Sequence, residues 1–201
     1  MTNIIQAIKE NKIYGIIREN DTNKAIEIAN AYIEGGIKVI EINSTIDAIK
    51  EISKKEGVYV AQGGVITSSQ ALEGISAGAK LLVSPILQMN LVKLSSGHKI
   101  PLMLTATTPN EAYTAWKARI PVIKIYPIKD LGGPTYIEEL LRPMKFLNVM
   151  PTGSIKIADI KGYLEKGATA VGLGHELYFN KTTSEIIESA KTAVKEANAA
   201  K

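Results

Sequence analysis

Short apolar runs alternate along the chain with longer stretches in which apolar residues recur at helical spacing among charged ones. The runs are rich in isoleucine and valine, which is typical of strands that are covered on both faces. Eight runs predict strands, at residues 13–18, 38–43, 58–62, 80–84, 100–105, 122–126, 148–151 and 169–173. The other stretches predict helices, at residues 4–11, 23–34, 45–55, 68–77, 88–96, 110–118, 135–144, 156–166 and 184–199.

Start and stop signals support these helices. Asn20, Asp21 and Thr22 provide capping side chains just before the second helix. Glycines, which favour helix ends, follow several of the predicted helices: Gly35, Gly57, Gly78, Gly97 and Gly167.

The alternation of strands and helices determines the predicted fold class. Strands separated by helices imply parallel pairing, because each helix returns the chain to the same end of the sheet. Eight such units, spaced by about 25 residues, are the number that closes a (β/α)8 TIM barrel. We therefore predict an α/β protein with one (β/α)8 barrel domain over residues 1–201 and short loops. An open doubly wound sheet is the alternative, but no Gly-x-Gly-x-x-Gly motif follows the first strand.

Composition restricts the chemistry. A chain of 201 residues that is 45% hydrophobic and 22% charged is large enough for one sizeable core. It contains no cysteine, which excludes disulfides, thiolate metal ligands and a cysteine nucleophile. The two histidines, His98 and His175, lie far apart with no carboxylate pattern close by. No metal site and no cofactor are therefore predicted.

The charge pattern restricts the partners. The net charge of +4 arises from lysines that are interleaved with glutamates along the predicted helices, a pattern of solvated helix faces and not of a nucleic-acid site. No apolar run reaches the roughly 18 residues of a membrane span. The first ten residues carry Lys9 and Glu10 within an amphipathic pattern, which does not resemble a signal peptide. We expect a cytoplasmic protein that binds a small molecule.

One strand carries a residue that its apolar pattern does not explain. Lys124 lies at the centre of residues 122–126, between apolar neighbours that expect cover on both faces. Burying an ammonium group without a partner is costly, so a lysine in such a place tends to lose its proton. A neutral amine is the nucleophile that forms a Schiff base with a carbonyl group. Lys124 is thus a candidate Schiff-base lysine; an edge-strand lysine with its ammonium group in solvent is the alternative.

Barrel geometry places two other charges near Lys124. Strand residues in a barrel alternate between the lumen and the helix layer, and the active site lies at the carboxyl ends of the strands. If Lys124 faces the lumen, the same alternation directs Glu41 and Arg18 into it from the second and first strands. Three charges at matching depth indicate a site. A structural salt bridge between Glu41 and Lys124 is the alternative.

These residue types suit the chemistry of a 2-keto acid. A neutral lysine condenses with the ketone, and the iminium then accepts electrons as the neighbouring carbon–carbon bond breaks. A nearby carboxylate, Glu41, can transfer the protons. The forked guanidinium of Arg18 can hold an anionic group of the substrate.

The segments around these residues resemble the 2-keto-3-deoxy-6-phosphogluconate aldolases and their 4-hydroxy-2-oxoglutarate and 6-phosphogalactonate relatives. The resemblance runs from about Tyr14 to Tyr178 and rests on Gly15-Ile16-Ile17-Arg18, Glu34-Gly35-Gly36-Ile37-Lys38-Val39-Ile40-Glu41-Ile42, Val83-Ser84-Pro85, Val122-Ile123-Lys124-Ile125-Tyr126-Pro127, Pro151-Thr152-Gly153 and Val171-Gly172-Leu173-Gly174.

The resemblance implies a metal-free Schiff-base aldolase on a (β/α)8 barrel, assembled as a homotrimer. It implies that Lys124 is the Schiff-base residue, Glu41 the general acid/base and Arg18 a substrate contact. It further implies that these residues contact the substrate: Gly63, Gly64, Pro85, Tyr126, Thr152, Gly153, Ser154, Gly174 and His175.

The chain departs from the family pattern at four of its pocket positions. Gly64 stands where the family usually has a threonine that helps to hold the pyruvate carboxylate, and Leu104-Thr105 replaces a Pro-Gly pair. Ser154 and His175 replace a glycine and a serine in the loops that hold phosphate, and their bulk would crowd that group. The segment after Glu41 is also a few residues shorter.

Three interpretations follow from the sequence. The first is an aldolase for a 2-keto-3-deoxy sugar acid, with or without a phosphate. The second is an aldolase for a smaller acid such as 4-hydroxy-2-oxoglutarate, which the altered phosphate loops favour. The third is a non-catalytic barrel that binds a small anionic metabolite. The presence of Glu41 together with Lys124 argues against the third, since a relic site has no need of both.

Overall fold

The computed structural model describes residues 3–200, so Met1, Thr2 and Lys201 of the predicted domain lie outside the described residues. The strands are β1 (Ile13–Arg18), β2 (Val39–Asn43), β3 (Tyr59–Gln62), β4 (Leu81–Val83), β5 (Leu102–Met103), β6 (Thr105–Ala106), β7 (Ile123–Ile125), β8 (Val149–Pro151) and β9 (Val171–Leu173). The helices are α1 (Ile4–Asn11), α2 (Thr22–Glu34), α3 (Ile46–Ile52), α4 (Ser68–Ser76), α5 (Asn90–His98), α6 (Pro109–Lys117), α7 (Ile128–Leu131), α8 (Pro134–Leu141), α9 (Ile160–Glu165), α10 (His175–Tyr178) and α11 (Thr183–Ala199). A 3-10 turn, Ile157–Asp159, precedes α9.

The fold is α/β, and all of its paired strands are parallel. One sheet has the order β5-β4-β3-β2-β1-β9 and the other has the order β6-β7-β8. β5 and β6 are separated by Leu104 alone, whose carbonyl accepts a hydrogen bond from the Lys124 amide at 3.0 Å. At the other junction, an isolated bridge pairs Thr152 with Gly172. Leu104 thus links β5 to β6 along the chain, and one bridge lies between the segments that contain β8 and β9.

Alternate strand residues face two separate apolar layers. The inner cluster combines residues of both sheets, among them Ile16, Val39 and Val122, and α1 packs against it through Ile4 and Ile8. The outer cluster lies between the strands and the helices. It includes the intervening strand residues Ile17, Ile40, Ile42, Ile123 and Ile125. This alternation directs Glu41 and Lys124 toward the inner layer, as the sequence pattern predicts.

Side-chain capping explains where the helices begin. The Asp21 side chain accepts a hydrogen bond from the Lys24 amide at 2.9 Å, which confirms the predicted cap of α2. Reciprocal capping boxes begin α4, α6 and α11, at Thr67, Thr108 and Thr182.

Several features differ from the predicted elements. The predicted strand at residues 100–105 is divided into β5 and β6, and the predicted helix at residues 135–144 is shorter as α8. The prediction that Gly97 ends a helix is wrong, because α5 continues through His98 and is capped by Lys99, which adopts a left-handed conformation with φ 56°. The short helices α7 and α10 follow β7 and β9 closely and were not predicted. Among residues 3–200, no helix combines the length and apolar character needed to span a bilayer.

Candidate active site

The Lys124 ammonium group and the Glu41 carboxylate form a buried pair between the two sheets. Lys124 Nζ lies 3.2 Å from Glu41 Oε1 and 3.0 Å from Oε2. The two side chains are only 5% and 1% exposed. Glu41 is on β2 and Lys124 is on β7, so the contact joins the two sheets across the interior. The predicted proximity of the two residues is therefore confirmed, and the solvent-exposed alternative for Lys124 is wrong.

A cavity of about 310 Å³ gives this pair access to a ligand, and we call it the proximal cavity. Its lining comprises Arg18, Glu41, Asn43, Gly64, Val83, Pro85, Thr105, Lys124 and Tyr126. A salt bridge that served stability alone would need no opening, whereas this pair forms part of a cavity wall. The amine that could attack a carbonyl and the carboxylate that could take its proton are thus both reachable by a small molecule.

Close packing holds the Glu41 carboxylate in place. A Cβ atom at Gly63 would overlap Asn43 Oδ1 and Glu41 Oε1, so only glycine fits at that position. Gly63 therefore lies against the carboxylate and does not line either cavity. Asn43 Oδ1 is buried and has no hydrogen-bond partner among residues 3–200. Asn43 itself lines the proximal cavity.

A second cavity of about 380 Å³, the distal cavity, adjoins the first. Arg18 and Tyr126 line both cavities. Of the predicted substrate contacts, the distal cavity includes Thr152, Gly153, Ser154, Gly174 and His175. The structure thus divides the predicted pocket into two connected parts.

The distal cavity is lined by charged side chains that the sequence pattern did not identify. Lys129, Lys156 and Glu176 reach it, in addition to Arg18. Lys156 Nζ lies 3.3 Å from Glu176 Oε2, and the Ile157 amide donates to Glu176 Oε1 at 3.4 Å. Each of these three residues follows a predicted strand within a few positions, which is the signal that could have identified them.

Two contacts position Arg18 at the boundary between the cavities. The Tyr178 hydroxyl accepts a hydrogen bond from the Arg18 amide and donates one to the Arg18 carbonyl, both at 3.1 Å. The guanidinium carbon lies 5.7 Å from the centre of the Tyr126 ring, within reach of a cation–π interaction. Burial, as the largest effect, raises the pKa of Tyr178, so its hydroxyl stays protonated at neutral pH.

Tyr14 is a buried neighbour of Glu41 that the sequence pattern did not assign to the site. Its side chain is 0% exposed and belongs to the inner apolar cluster. Burial, and after it the charge of Glu41 and a hydrogen-bond contribution from Glu41, raise the pKa of Tyr14 well above its usual range. The hydroxyl is buried and has no hydrogen-bond partner among residues 3–200.

The described residues contain no cluster of three or more histidine, aspartate and glutamate side chains arranged to hold a metal ion. The charged groups of the site instead form one buried pair and one group of exposed cations. Such an arrangement can form a covalent bond to a carbonyl at its inner end and hold an anion at its outer end.

Sequence comparisons place the chain among aldolases. The profile of a family described as "Aldolase: KDPG and KHG aldolase" matches residues 4–192. A 2-dehydro-3-deoxy-phosphogluconate aldolase from Haemophilus influenzae is 30% identical over 166 residues, which cover 80% of this chain and 78% of that protein. A KHG/KDPG aldolase from Escherichia coli K12 is 29% identical over 145 residues, covering 70% of this chain and 68% of that protein.

Solved structures show the same fold. A 2-keto-3-deoxy-6-phosphogluconate aldolase of Zymomonas mobilis ZM4, solved with 3-phosphoglycerate, superposes with a TM-score of 0.87 at 22% identity, covering 100% of this chain and 98% of that one. A KDPG aldolase from Legionella pneumophila, in which pyruvate was captured as a covalent carbinolamine intermediate, has a TM-score of 0.77 at 22% identity, covering 94% of this chain and 92% of that one.

Proposed function

The chain belongs to the KDPG and KHG aldolase family, and from this premise we propose that it is a Schiff-base aldolase that cleaves a 2-keto-3-deoxy sugar acid into pyruvate and an aldehyde. One observation carries the proposal: Lys124 Nζ lies within 3.2 Å of both Glu41 oxygens in the wall of a cavity. The pair combines a nucleophile with a proton acceptor, and its geometry therefore favours the catalytic interpretation over a non-catalytic binder.

Covalent bond formation begins with proton transfer within the pair. The proton moves from Lys124 Nζ to Glu41, and the neutral amine attacks the C2 carbonyl carbon to give a carbinolamine. Glu41 then protonates the departing hydroxyl group, water leaves, and an iminium forms. The direct contact between the two groups makes both proton transfers short.

Bond cleavage uses the iminium as the electron acceptor. The carboxylate, now deprotonated, takes the proton from the C4 hydroxyl group, and the electrons of the C3–C4 bond move to the iminium nitrogen. An aldehyde leaves and an enamine remains. Protonation at C3 and addition of water then release pyruvate and regenerate Lys124.

We propose that the preferred substrate carries a phosphate at the end remote from the keto acid. The proximal cavity receives the keto-acid end at Lys124, and the distal cavity receives the tail. Arg18, Lys129 and Lys156 line the distal cavity and match an anionic tail. The relative from Haemophilus influenzae, named as an aldolase for a phosphorylated sugar acid, supports this assignment.

A smaller substrate, 4-hydroxy-2-oxoglutarate, is the second candidate. Glu176 pairs with Lys156 and so neutralises one of the three cations of the distal cavity. Ser154 occupies a left-handed conformation, with φ 53°, at a position where the family usually has glycine. Both features make the distal cavity less favourable for a phosphate.

Two measurements test the proposal. Pyruvate and borohydride should convert Lys124 to a stable secondary amine, which mass spectrometry of the Lys124 peptide would detect. Lys129 and Lys156 serve as internal controls, because neither is paired with a buried carboxylate. Absence of the adduct on Lys124 would refute the Schiff-base assignment.

A retro-aldol panel then distinguishes the two substrate candidates. We expect pyruvate release with a kcat/KM for the 6-phosphorylated six-carbon acid that exceeds the value for 4-hydroxy-2-oxoglutarate by roughly tenfold or more, the effect of one charge-assisted contact. The reverse preference would assign the smaller acid as substrate.

We further propose three properties of the whole protein. The two sheets complete one closed (β/α)8 barrel domain, as supported by the continuity of β5 and β6 and by the bridge from Thr152 to Gly172. The protein acts in the cytoplasm. It assembles as a homotrimer, an expectation from the family resemblance that exposed apolar side chains support.

A further inference from the structure

Tyr14 lies deeper in the interior than the reactive pair. Along β1, Ile16 pairs in register with Glu41 of β2, and Tyr14 is the next inward residue toward the amino end of the strand. The ring is therefore below Glu41, on the side away from the cavity mouth. The register thus places the Tyr14 ring next to the carboxylate on this side, in a mostly apolar cluster, and burial followed by the charge of Glu41 raises the pKa of Tyr14.

The hydroxyl of Tyr14 is unusual because it is buried without a regular partner among residues 3–200. A buried hydroxyl that makes no hydrogen bond costs free energy, so its presence in an apolar cluster requires an explanation. In the resting protein, both Glu41 oxygens are already engaged by Lys124. When that engagement changes, the carboxylate is free to turn and accept a hydrogen bond from Tyr14.

The proposed reaction changes the contact between Lys124 and Glu41 in every catalytic cycle. When Lys124 forms an imine, its nitrogen keeps at most one hydrogen and is bonded to the substrate carbon. It can then no longer donate to both carboxylate oxygens. Glu41 would be left as a buried carboxylate with an oxygen that lacks a donor, which is a costly state.

We propose that the Tyr14 hydroxyl is a positioning group, which donates a hydrogen bond to Glu41 from below while Lys124 is bonded to the substrate. This inference rests on the proposed function, since it concerns the Schiff-base intermediates. Tyr14 lies outside both cavity linings and does not touch the substrate. It keeps the carboxylate oriented and ionised so that Glu41 can accept the proton of the C4 hydroxyl group.

Other titratable groups surround Glu41 and must be considered in any pH dependence. Lys124 contacts it from β7, and Arg18 and Tyr126 line the same cavity from β1 and from the end of β7. Tyr59 of β3 packs against the same inner cluster. A Tyr14→Phe substitution leaves all four unchanged, so a shift in the pH profile would report the Tyr14 hydroxyl.

The test compares pH profiles of kcat for retro-aldol cleavage at saturating substrate, which report the groups of the substrate-bound enzyme, in the intact protein and in Tyr14→Phe. A hydrogen-bond donor favours the charged form of a carboxylate, so its removal makes Glu41 easier to protonate. We expect the acidic limb of the profile to move upward by roughly one pH unit, with a loss of about tenfold in kcat on that limb. Trapping with pyruvate and borohydride should still modify Lys124, because Tyr14 does not contact the ketone.

Tyr32→Phe is the matched control. Tyr32 is also 0% exposed, its hydroxyl also lacks a partner within residues 3–200, and burial raises its pKa. It lies in the outer cluster and is not linked to Glu41. We expect the acidic limb of the pH profile of Tyr32→Phe to coincide with that of the unmodified protein.

The outcomes separate this inference from the proposed function. An unchanged acidic limb in Tyr14→Phe, or an equal shift in Tyr32→Phe, overturns the role of Tyr14 while trapping on Lys124 still supports the aldolase. Failure of trapping in the unmodified protein overturns both. If Tyr14→Phe does not fold, 3-fluorotyrosine in place of Tyr14 provides a stronger donor on the same ring. The acidic limb of the pH profile of this fluorinated protein should move to lower pH. If it does not, the positioning role of Tyr14 is refuted.

Discussion

At the residue scale, burying the charges of Lys124 and Glu41 costs free energy, and each residue limits that cost for the other. Each charge loses its hydration in the interior, and their mutual attraction offsets that loss only while both are present. The same mutual dependence allows a proton to move between them without exposing a lone charge. The stability and the reactivity of the site therefore depend on the same contact.

Lys124→Met should abolish activity and destabilise the protein. We expect kcat to fall by roughly a thousandfold or more and the free energy of unfolding to fall by about 3 kcal/mol, because Glu41 is left buried without its partner. The double variant Lys124→Met/Glu41→Leu should regain most of that stability but no activity. Urea denaturation and pyruvate-release assays measure both effects. Equal stability of the single and double variants would contradict this account.

Gly63→Ala tests the packing against the carboxylate. The new Cβ atom overlaps oxygens of Glu41 and Asn43, so the carboxylate must shift from its present position beside Lys124. We expect kcat to fall by roughly a hundredfold, the cost of displacing a catalytic group by about 1 Å. Gly97→Ala is the control, because a Cβ atom there meets no neighbour within 4 Å. Full activity in Gly63→Ala would show that Glu41 tolerates displacement.

At the scale of elements, the clearest predictions from sequence concern residues on strands. A strand has a two-residue period, so one inward residue determines which neighbours are also inward. From the sequence alone, this period relates Lys124 to Val122, and Glu41 to Val39, and both valines lie in the inner cluster. α1 and β1 begin and end at the predicted residues, since each matches a complete apolar pattern.

Loops and very short helices could not be predicted in the same way. α7 and α10 have four residues each, too few to show a helical period. Lys129 and Glu176 lie on these helices, so their approach to the distal cavity depends on loop geometry that lacks a repeating pattern. Tyr14 was not assigned to the site because a tyrosine in an apolar strand has the same pattern whether or not its hydroxyl meets a carboxylate.

The contact between α10 and β1 should affect substrate binding. Tyr178→Phe removes two hydrogen bonds to the Arg18 backbone, which is worth about 1 kcal/mol and corresponds to roughly a fivefold rise in KM if Arg18 holds the substrate anion. We expect kcat to change little. Tyr163→Phe on α9, away from Arg18, is the control and should leave KM unchanged. Steady-state kinetics would contradict this expectation if both variants behaved alike.

At the scale of the whole molecule, the exposed apolar side chains are not evenly distributed. Ile66, Ile86 and Met89 are 44%, 53% and 39% exposed, and they follow the neighbouring strands β3 and β4. A hydrogen bond of 2.8 Å from Gln88 Nε2 to the Ile66 carbonyl links their loops. Of the exposed aromatics, Tyr113, Trp116 and Phe146 pack on one another with ring centres 5.8 and 4.4 Å apart, and the Phe179 ring lies 5.2 Å from that of His175. The aliphatic side chains of Ile66, Ile86 and Met89 would thus be stabilised more by burial against a partner surface.

We therefore expect the surface formed by Ile66, Ile86 and Met89 to contact a neighbouring copy in the proposed trimer. Light scattering should give a mass of about 65 kDa, three times the 21.7 kDa chain, as expected for a cyclic trimer. Ile86→Asp places a charge in the contact and should reduce the mass to that of one chain, because an unpaired charge is costly to bury. Phe146→Asp changes a comparably exposed side chain of the aromatic group and should leave the trimer intact. A trimer that survives Ile86→Asp but dissociates in Phe146→Asp would assign the interface to the aromatic group.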